Sequence, residues 1–599
     1  MKKRMVALLL CIFLLTGCTD PIPEPSAAPS QPRTETGEET TVYQMLFDIH
    51  NKITLRLDMS DTELAKMQAD YERYDQNGSK SPIYRMADLS ITVTTPEGKN
   101  YDYSIPEVGV RMKGNTSRTS FYSPETGIYN LIHLKLSFQE TFDDPLYYGS
   151  EAKTWTEEER QARKDRTFAT LEKLDLRWNR CDDSTYLKEY FAYESYRQFG
   201  VPAPRINLAS LDWAGEHMGV YTINEPVDKA FLEKNFPADA LGGDLYKIGW
   251  AGNSNGSFTS TTSIGVENED NREFYAYDLN TNKKTSTHES LKALIQTLNS
   301  KDLTKEGFAE AVDLDTFLPY CAVSYLLGNP DDLRNNYNNS YIYFRADTGK
   351  MVVIPYDFDR CLGVTAHWNP TGDGVTSDNP FGTSLNADGS DQRSPLFLRS
   401  VCAGGFYVLQ YAEALKQISE NSWWSYENFA DTYALAAANY EELTTPSKSF
   451  ENGKNLHFTM DLDRTSDFSS WDNISYREYM DAKVATLKHY LADVNKYLEN
   501  NTPLPAVWYI RADFTNWQND DRYAMQEENG RYSIRITAGN QVRLKVYNNE
   551  TSAWYGTECI DEDCGVAYET DDHTNIVLEK GSYIISIDPE TEIITMEKE

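Results

Sequence analysis

The stretch NPDDLRNNYNNSYIYF, residues 329–344, crowds five Asn and two Asp against an apolar run of Tyr, Ile and Phe. Such oxygens suit a hard cation, Mg²⁺ or Ca²⁺, or merely bond the backbone of a polar turn. Downstream, IPYDFDRCLG places Asp357 and Asp359 two residues apart. Between the clusters, YIYF and MVVIPY flank a polar turn holding Gly349, the pattern of a β-hairpin. A hairpin returns its ends to one another, so the Asp331–Asn339 loop is expected beside Asp357 and Asp359. Phosphoryl transfer to a hydroxyl uses this kind of set. One carboxylate orients the acceptor and takes its proton, while a carboxylate and an amide oxygen hold Mg²⁺ on the phosphates. In protein kinases the catalytic Asp precedes a metal-binding Asn by five positions, and a hairpin then leads to the metal Asp. Asp331 and Asn336 have that offset; Asp332 with Asn336, or Asp331 with Asn335, are the other pairs the loop offers.

The elements that must position these residues follow from periodicity. From Val42 to Phe138 the pattern is mostly β, with KITLRLDM, LSITVTTPEGKNYDYSI, VGVRMKG and LIHLKLSF alternating apolar and polar residues. GVRMKGNTSR offers Gly114 and small hydroxyl residues whose backbone N–H groups suit a phosphate, although it is no Walker A motif. Lys135 lies on the next strand, placed as a phosphate-pairing Lys would be. WTEEERQARKDR and DDSTYLKEYFAYESYRQFG read as helices, and Glu189 or Glu194 on the second is a candidate partner for Lys135. Two strands later, Glu225 in TINEPVD stands where a nucleotide-binding hinge would sit. Ala251–Lys284 is a long polar excursion. From Ser290 helices dominate, and near Pro503 short strands with polar turns take over, the signature of a small β-sandwich. The fold class is α+β, and no internal repeat stands out.

The chain ends and composition bound the setting. MKKRMVALLLCIFLLTGC has a basic start and an apolar run too short to span a bilayer, so it reads as a secretion signal. The residues before Cys18 resemble a bacterial lipobox, which implies cleavage there, a lipid on Cys18 and an extracytoplasmic, membrane-anchored protein. The Pro-, Ser- and Glu-rich residues 19–41 form a tether. A formal net charge of −35 argues against nucleic-acid or anionic-membrane surfaces, which need clustered Lys and Arg. Cys181, Cys321, Cys361, Cys402, Cys559 and Cys564 are too dispersed for a disulfide framework, only the last two being close enough for a local bridge. His133, His217 and His367 show no catalytic partner.

VGVRMKGNTSR, LKLSF, YLKEYFAYESYRQFGVPAPR, GVYTINEPVD, DDLRNNYNNSYIY and IPYDFDRCLG, in this order over roughly residues 45–500, resemble the CotH family of secreted, kinase-like proteins. The resemblance implies a divergent two-lobed protein-kinase-like fold, with an N-lobe over residues 42–225 and a helical C-lobe over 226–502. It implies transfer from ATP with Mg²⁺ to Ser or Thr of a surface or secreted protein. Carried across, it makes Asp331 the catalytic residue and Asn336, Asp357 and Asp359 metal ligands. Arg111, Lys113, Asn115, Lys135 and Glu225 become nucleotide-binding positions. The family loop usually reads closer to RxRGNSS, so Lys113 and Thr116 are mild departures; Asp332 stands where the family usually has Asn. Residues 503–599 resemble starch-binding-like modules, in which Trp517 and Trp554 would stack on sugar rings. The alternative function is a lipid-anchored surface protein that keeps the scaffold without catalysis and binds glycan or a partner protein.

Overall fold

The computed structural model describes residues 38–494 and 508–598, apart from 116, 124–127, 369–373, 387, 466–472, 493, 520, 529, 550, 552, 557–567, 570–574, 590 and 592. The expectations for Cys18, for most of the tether and for Cys559 and Cys564 lie outside the described residues.

Seven strands close into a barrel: β1 (Lys52–Asp58), β2 (Arg85–Thr94), β3 (Asn100–Lys113), β4 (His133–Ser137), β5 (Lys173–Trp178), β6 (Ile206–Trp213) and β7 (Glu216–Asn224). The order is β1-β2-β3-β4-β5-β7-β6, and parallel pairing of β6 with β1 shuts it. Alternation decides the inside: Ile53, Leu55 and Leu57 of β1 are buried, as are Val108, Val110 and Met112 of β3. These side chains share one apolar core with Leu134, Leu136, Leu174 and Leu176. The reading of residues 42–138 as mostly β misses two helices, α1 (Glu38–Leu46) and α2 (Asp61–Asp75). In α2, Ser60 caps the Glu63 N–H, and Asp61 and Glu63 meet the positive end of the helix dipole.

A second sheet has five strands: β8 (Leu245–Ile248), β9 (Ile264–Gly265), β10 (Tyr277–Leu279), β11 (Ser340–Phe344) and β12 (Met351–Pro355), in the order β9-β10-β8-β11-β12. β11 and β12 are the expected hairpin, in register from Ser340 opposite Pro355 to Phe344 opposite Met351. Gly349 in its turn has φ +72°, which glycine adopts without a Cβ penalty. The expected helices surround this sheet: α4 (Lys188–Gln198), α6 (Leu314–Leu327), α8 (Val408–Ser419), α9 (Tyr426–Tyr440) and α10 (Tyr476–Leu491). Between α6 and β11 lies the single turn α7 (Leu333–Asn336). Earlier, α3 (Glu157–Lys164) starts at a Thr156–Glu159 capping box, and α5 (Glu289–Leu298) follows the excursion. One large apolar core joins α4, α6, α8, α9 and α10 to the sheet. The described part of residues 508–598 consists of strands and short 3₁₀ turns around its own core, with Trp508, Ile510, Leu544, Ile585 and Ile587 inside.

The barrel and the helices meet at the barrel's parallel seam. There the Tyr440 hydroxyl accepts from the Ile53 N–H and donates to the Leu208 carbonyl, both at 2.8 Å. Among the described residues no helix is long and apolar enough to cross a membrane.

Candidate active site

Gly328 ends α6 in the left-handed region, at φ +58°, and turns the chain into the polar loop. Asp331 is the hub of that loop. Its carboxylate accepts from the side-chain amides of Asn336 (2.7 Å), Asn338 (3.0 Å) and Asn339 (3.1 Å). Burial pushes its pKa up, against the lowering effect of Asn338 and Asn336. Asp332 has a different job. Fully buried, it caps α7 by accepting from the Asn335 N–H at 2.8 Å and also takes the Ser324 hydroxyl. Burial raises its pKa to about 6. Asn335 is buried too, donating to the Asn329 carbonyl while its oxygen accepts from Arg334 and Arg393. Of the pairings the loop offers, Asp331 with Asn336 is therefore the half-buried one that side-chain chemistry leaves in contact.

The hairpin delivers Asp357 to this loop as expected. Asn329 donates to the Asp357 carbonyl at 3.0 Å, and the negative charge of Asp357 is felt at Asp331. Asp357 itself has φ +63°, a costly backbone state for a non-glycine residue, of the kind that clusters at functional sites. Its N–H is held by the Tyr193 hydroxyl of α4 at 2.9 Å. Arg177 of β5 then binds three acids: Glu189 of α4 at 2.6 Å, Asp359 at 3.3 Å, and Asp357. Burial would raise the Asp357 pKa, but Arg177, Lys113 and Lys247 hold it below the usual value. Burial and the neighbouring Asp357 raise that of Asp359.

Facing these acids, a polar row crosses the barrel strands. Arg111 of β3 pairs in register with Lys135 of β4, Lys135 with Asp175 of β5, and Asp175 with Asn224 of β7. Lys135 lies 3.3 Å from Asp175, and Lys113, two residues beyond Arg111, also grips Asp175. Burial alone would raise the pKa of Asp175; Lys113 and Lys135 carry it well below the carboxylate range instead. The expected pairing of Lys135 with Glu189 or Glu194 is thus corrected. Glu189 belongs to Arg177, its pKa pushed up to about 7 by burial, and Glu194 pairs with Arg197 on its own helix. Asp175 and Arg177 lie on a strand, KLDLRW, that the sequence reading passes over, although alternating charged and apolar residues were there to be read.

The remaining expected positions are mixed. Arg111 donates to the Ser81 carbonyl at 3.2 Å and stacks at 5.3 Å from Tyr84. Asn115 is exposed on the bend after β3. Gly114, at φ +124°, is in a backbone region that side chains rarely adopt, and a Cβ there would crowd the Ser117 hydroxyl. Glu225 is buried. It is 3% exposed and sits in a clasp with the Tyr43 hydroxyl (2.9 Å), the Arg205 N–H (3.1 Å) and Lys234 (3.2 Å). Across the site, Tyr356 takes Lys247 over its ring at 4.6 Å and Lys113 at 5.5 Å.

Among the described residues no group of three or more His, Cys, Asp or Glu stands close enough to hold a metal. The acidic pair and Asn336 nevertheless have the hard-oxygen chemistry Mg²⁺ selects. Mg²⁺ takes one or two carboxylates and completes its shell with phosphate and water. In residues 508–598, Trp517 and Trp554 have ring centroids 6.4 Å apart, with Arg511 lying 4.8 Å from Trp554 and 3.5 Å from Tyr547. Cys181, Cys321, Cys361 and Cys402 are buried.

The family model of the CotH kinase protein matches residues 147–440. This segment carries α4, the polar loop, the hairpin and both aspartates, and over it the chain is similar to the CotH family. The inner spore coat protein H of Bacillus subtilis (strain 168) is 26% identical over 190 residues. That match covers 31% of this chain and 49% of the relative, so the chain spans about half the length of the curated protein it matches.

Proposed function

We propose that this protein is an atypical protein kinase that uses Mg²⁺ and ATP to phosphorylate Ser or Thr hydroxyls of a surface or secreted protein. The observation that carries the reading is the return of Asp357 by the β11–β12 hairpin to the loop in which Asp331 holds Asn336. Asp331 is the group suited to orient the acceptor hydroxyl and receive its proton; Asp332 serves the fold. Asp357, Asp359 and the Asn336 oxygen would hold the cation, which supplies neutralisation of phosphate charge when bound. Lys113 and Lys135, anchored by Asp175, and Arg111 on the same row form the cationic wall suited to phosphates. The barrel then plays the N-lobe and the helical part the C-lobe of a kinase-like fold.

The match of residues 147–440 to the CotH kinase model supports phosphoryl transfer. A relative named for the spore coat, together with the lipobox-like sequence at Cys18, supports an extracytoplasmic, lipid-anchored location. The test is incubation of the purified protein with labelled ATP, Mg²⁺ and candidate acceptor proteins beside an Asp357→Ala variant. Label that depends on Asp357 supports the reading. Equal label in both proteins, or none with any acceptor, sinks it.

A second reading rests on the Trp517, Trp554 and Arg511 group: a non-catalytic surface protein that binds glycan. It requires glycan binding that survives Asp331→Ala and no shift in melting temperature with nucleotide.

A further inference from the structure

The residue that touches most of the acidic site is one the kinase reading leaves without a role. Arg177 is 8% exposed and sits two residues after Asp175, on the same face of β5. One guanidinium nitrogen binds Glu189; the other binds both Asp357 and Asp359. Lys113, Lys247, Arg180 and Arg360 add positive field around these aspartates, but Arg177 makes the direct shared contact.

Resting on the reading of Asp357 and Asp359 as metal ligands, we propose that Arg177 is the resident counter-cation of that pair. It holds the two carboxylates side by side in the metal-free protein, and a divalent cation must take those oxygens over from it. Two like charges two residues apart repel, and Arg177 removes that repulsion before any metal arrives. The same guanidinium charge beside the site opposes a divalent cation, since like charges repel strongly where water is excluded. Arg177 is therefore a positioning residue that keeps the site assembled and its bare-metal affinity low. A second consequence follows from Glu189. Release of Arg177 from the aspartates leaves the guanidinium on α4, and Tyr193 of the same helix holds the Asp357 N–H. Cation occupancy and the seating of α4 are thereby coupled.

The competing structural explanation makes the opposite prediction. If Arg177 only maintains the fold, its removal loosens the site and weakens metal binding. If it competes with the cation, its removal tightens binding. The experiment is titration of the full chain with Mn²⁺ alone, free ion being read by electron paramagnetic resonance, with no nucleotide present. The variants are R177Q, R177Q/E189Q and D357N; the double variant avoids leaving the Glu189 carboxylate buried without its partner, and circular dichroism verifies folding. The expected result is Mn²⁺ binding about tenfold or more tighter in R177Q/E189Q than in the parent. It is accompanied by a larger rise in melting temperature on adding Mn²⁺. Unchanged or weaker Mn²⁺ binding in the folded double variant, with binding lost in D357N, overturns this inference and leaves the kinase reading standing. Mn²⁺ binding unaffected by D357N overturns the metal assignment and this inference with it.

Discussion

Asp331 and Asp332 are neighbours in the chain and opposites in environment. The first gathers three Asn amides at the edge of the site; the second is sealed beneath it, bonded to the α7 backbone and to Ser324. Sequence spacing placed a five-residue offset at Asp331 and Asn336 but had no means of telling which aspartate faces out, because burial depends on where α6 packs. The sign of the Asp332 shift makes a testable statement. Its folded pKa of about 6 lies above an unfolded value near 3.9, so between those values the folded state binds more protons than the unfolded one. Stability from this group is full below about pH 4 and falls as pH rises through 6, by about 3 kcal/mol. An Asp332→Asn variant keeps the cap and lacks the titration. Its melting temperature relative to the parent should climb from pH 4 to pH 7, and a flat difference across that range would refute the burial argument.

At the scale of elements, the strongest sequence signals were those with local chemistry. The hairpin was legible because YIYF and MVVIPY are apolar runs around Gly349, and α6 because its apolar stretch ends at Gly328. Helix α2 was less legible: its apolar residues are few, and it is fixed by the Ser60 cap and by packing Met67 on the barrel. Strand β5 carries Asp175 and Arg177, whose partners lie on β3, β4, α4 and the segment after β12. Pairings between distant elements carry no mark in linear spacing, which is why Lys135 was given a helix glutamate rather than the aspartate on the adjacent strand. The turn after β3 gives a prediction of its own. Gly114→Ala places a methyl against Ser117 in a backbone region hostile to side chains, at a cost of about 1–3 kcal/mol. Urea unfolding should show a lower midpoint, and the melting shift produced by ATP should shrink because Lys113 adjoins the strained residue. An unchanged shift would remove this turn from the nucleotide site.

Across the whole molecule, the polar loop is fastened from behind by a buried ionic network. Asp378 binds Arg334 at 2.8 Å and Lys483 of α10 at 2.7 Å, while Arg393 donates to the Arg334 carbonyl at 2.8 Å. Burial lowers the Lys483 pKa to about 8 despite Asp378 beside it. Removing one partner of such a network leaves unpaired buried charge and typically costs about 3–5 kcal/mol. Asp378→Asn should therefore lower the unfolding midpoint. It should also lower kcat more than it raises KM for ATP, since the network supports the Asp331 side of the site and not the Lys135 side. Equal effects on both constants would contradict that division.

The phenol at the barrel seam sets a timetable. The amide of residue 53 and the carbonyl of residue 208 share a hydroxyl that belongs to residue 440. A chain emerging from the ribosome has all seven barrel strands outside long before that hydroxyl exists. The seam is thus expected to close late, and a nascent or truncated chain ending before α9 should exchange the Ile53 amide proton far faster than the full chain. In the complete protein, Tyr440→Phe leaves two buried backbone groups unsatisfied, worth about 1–3 kcal/mol. Hydrogen exchange at Ile53 should then report local opening at the seam well before global unfolding, whereas protection equal to the parent's would show that the barrel seals itself.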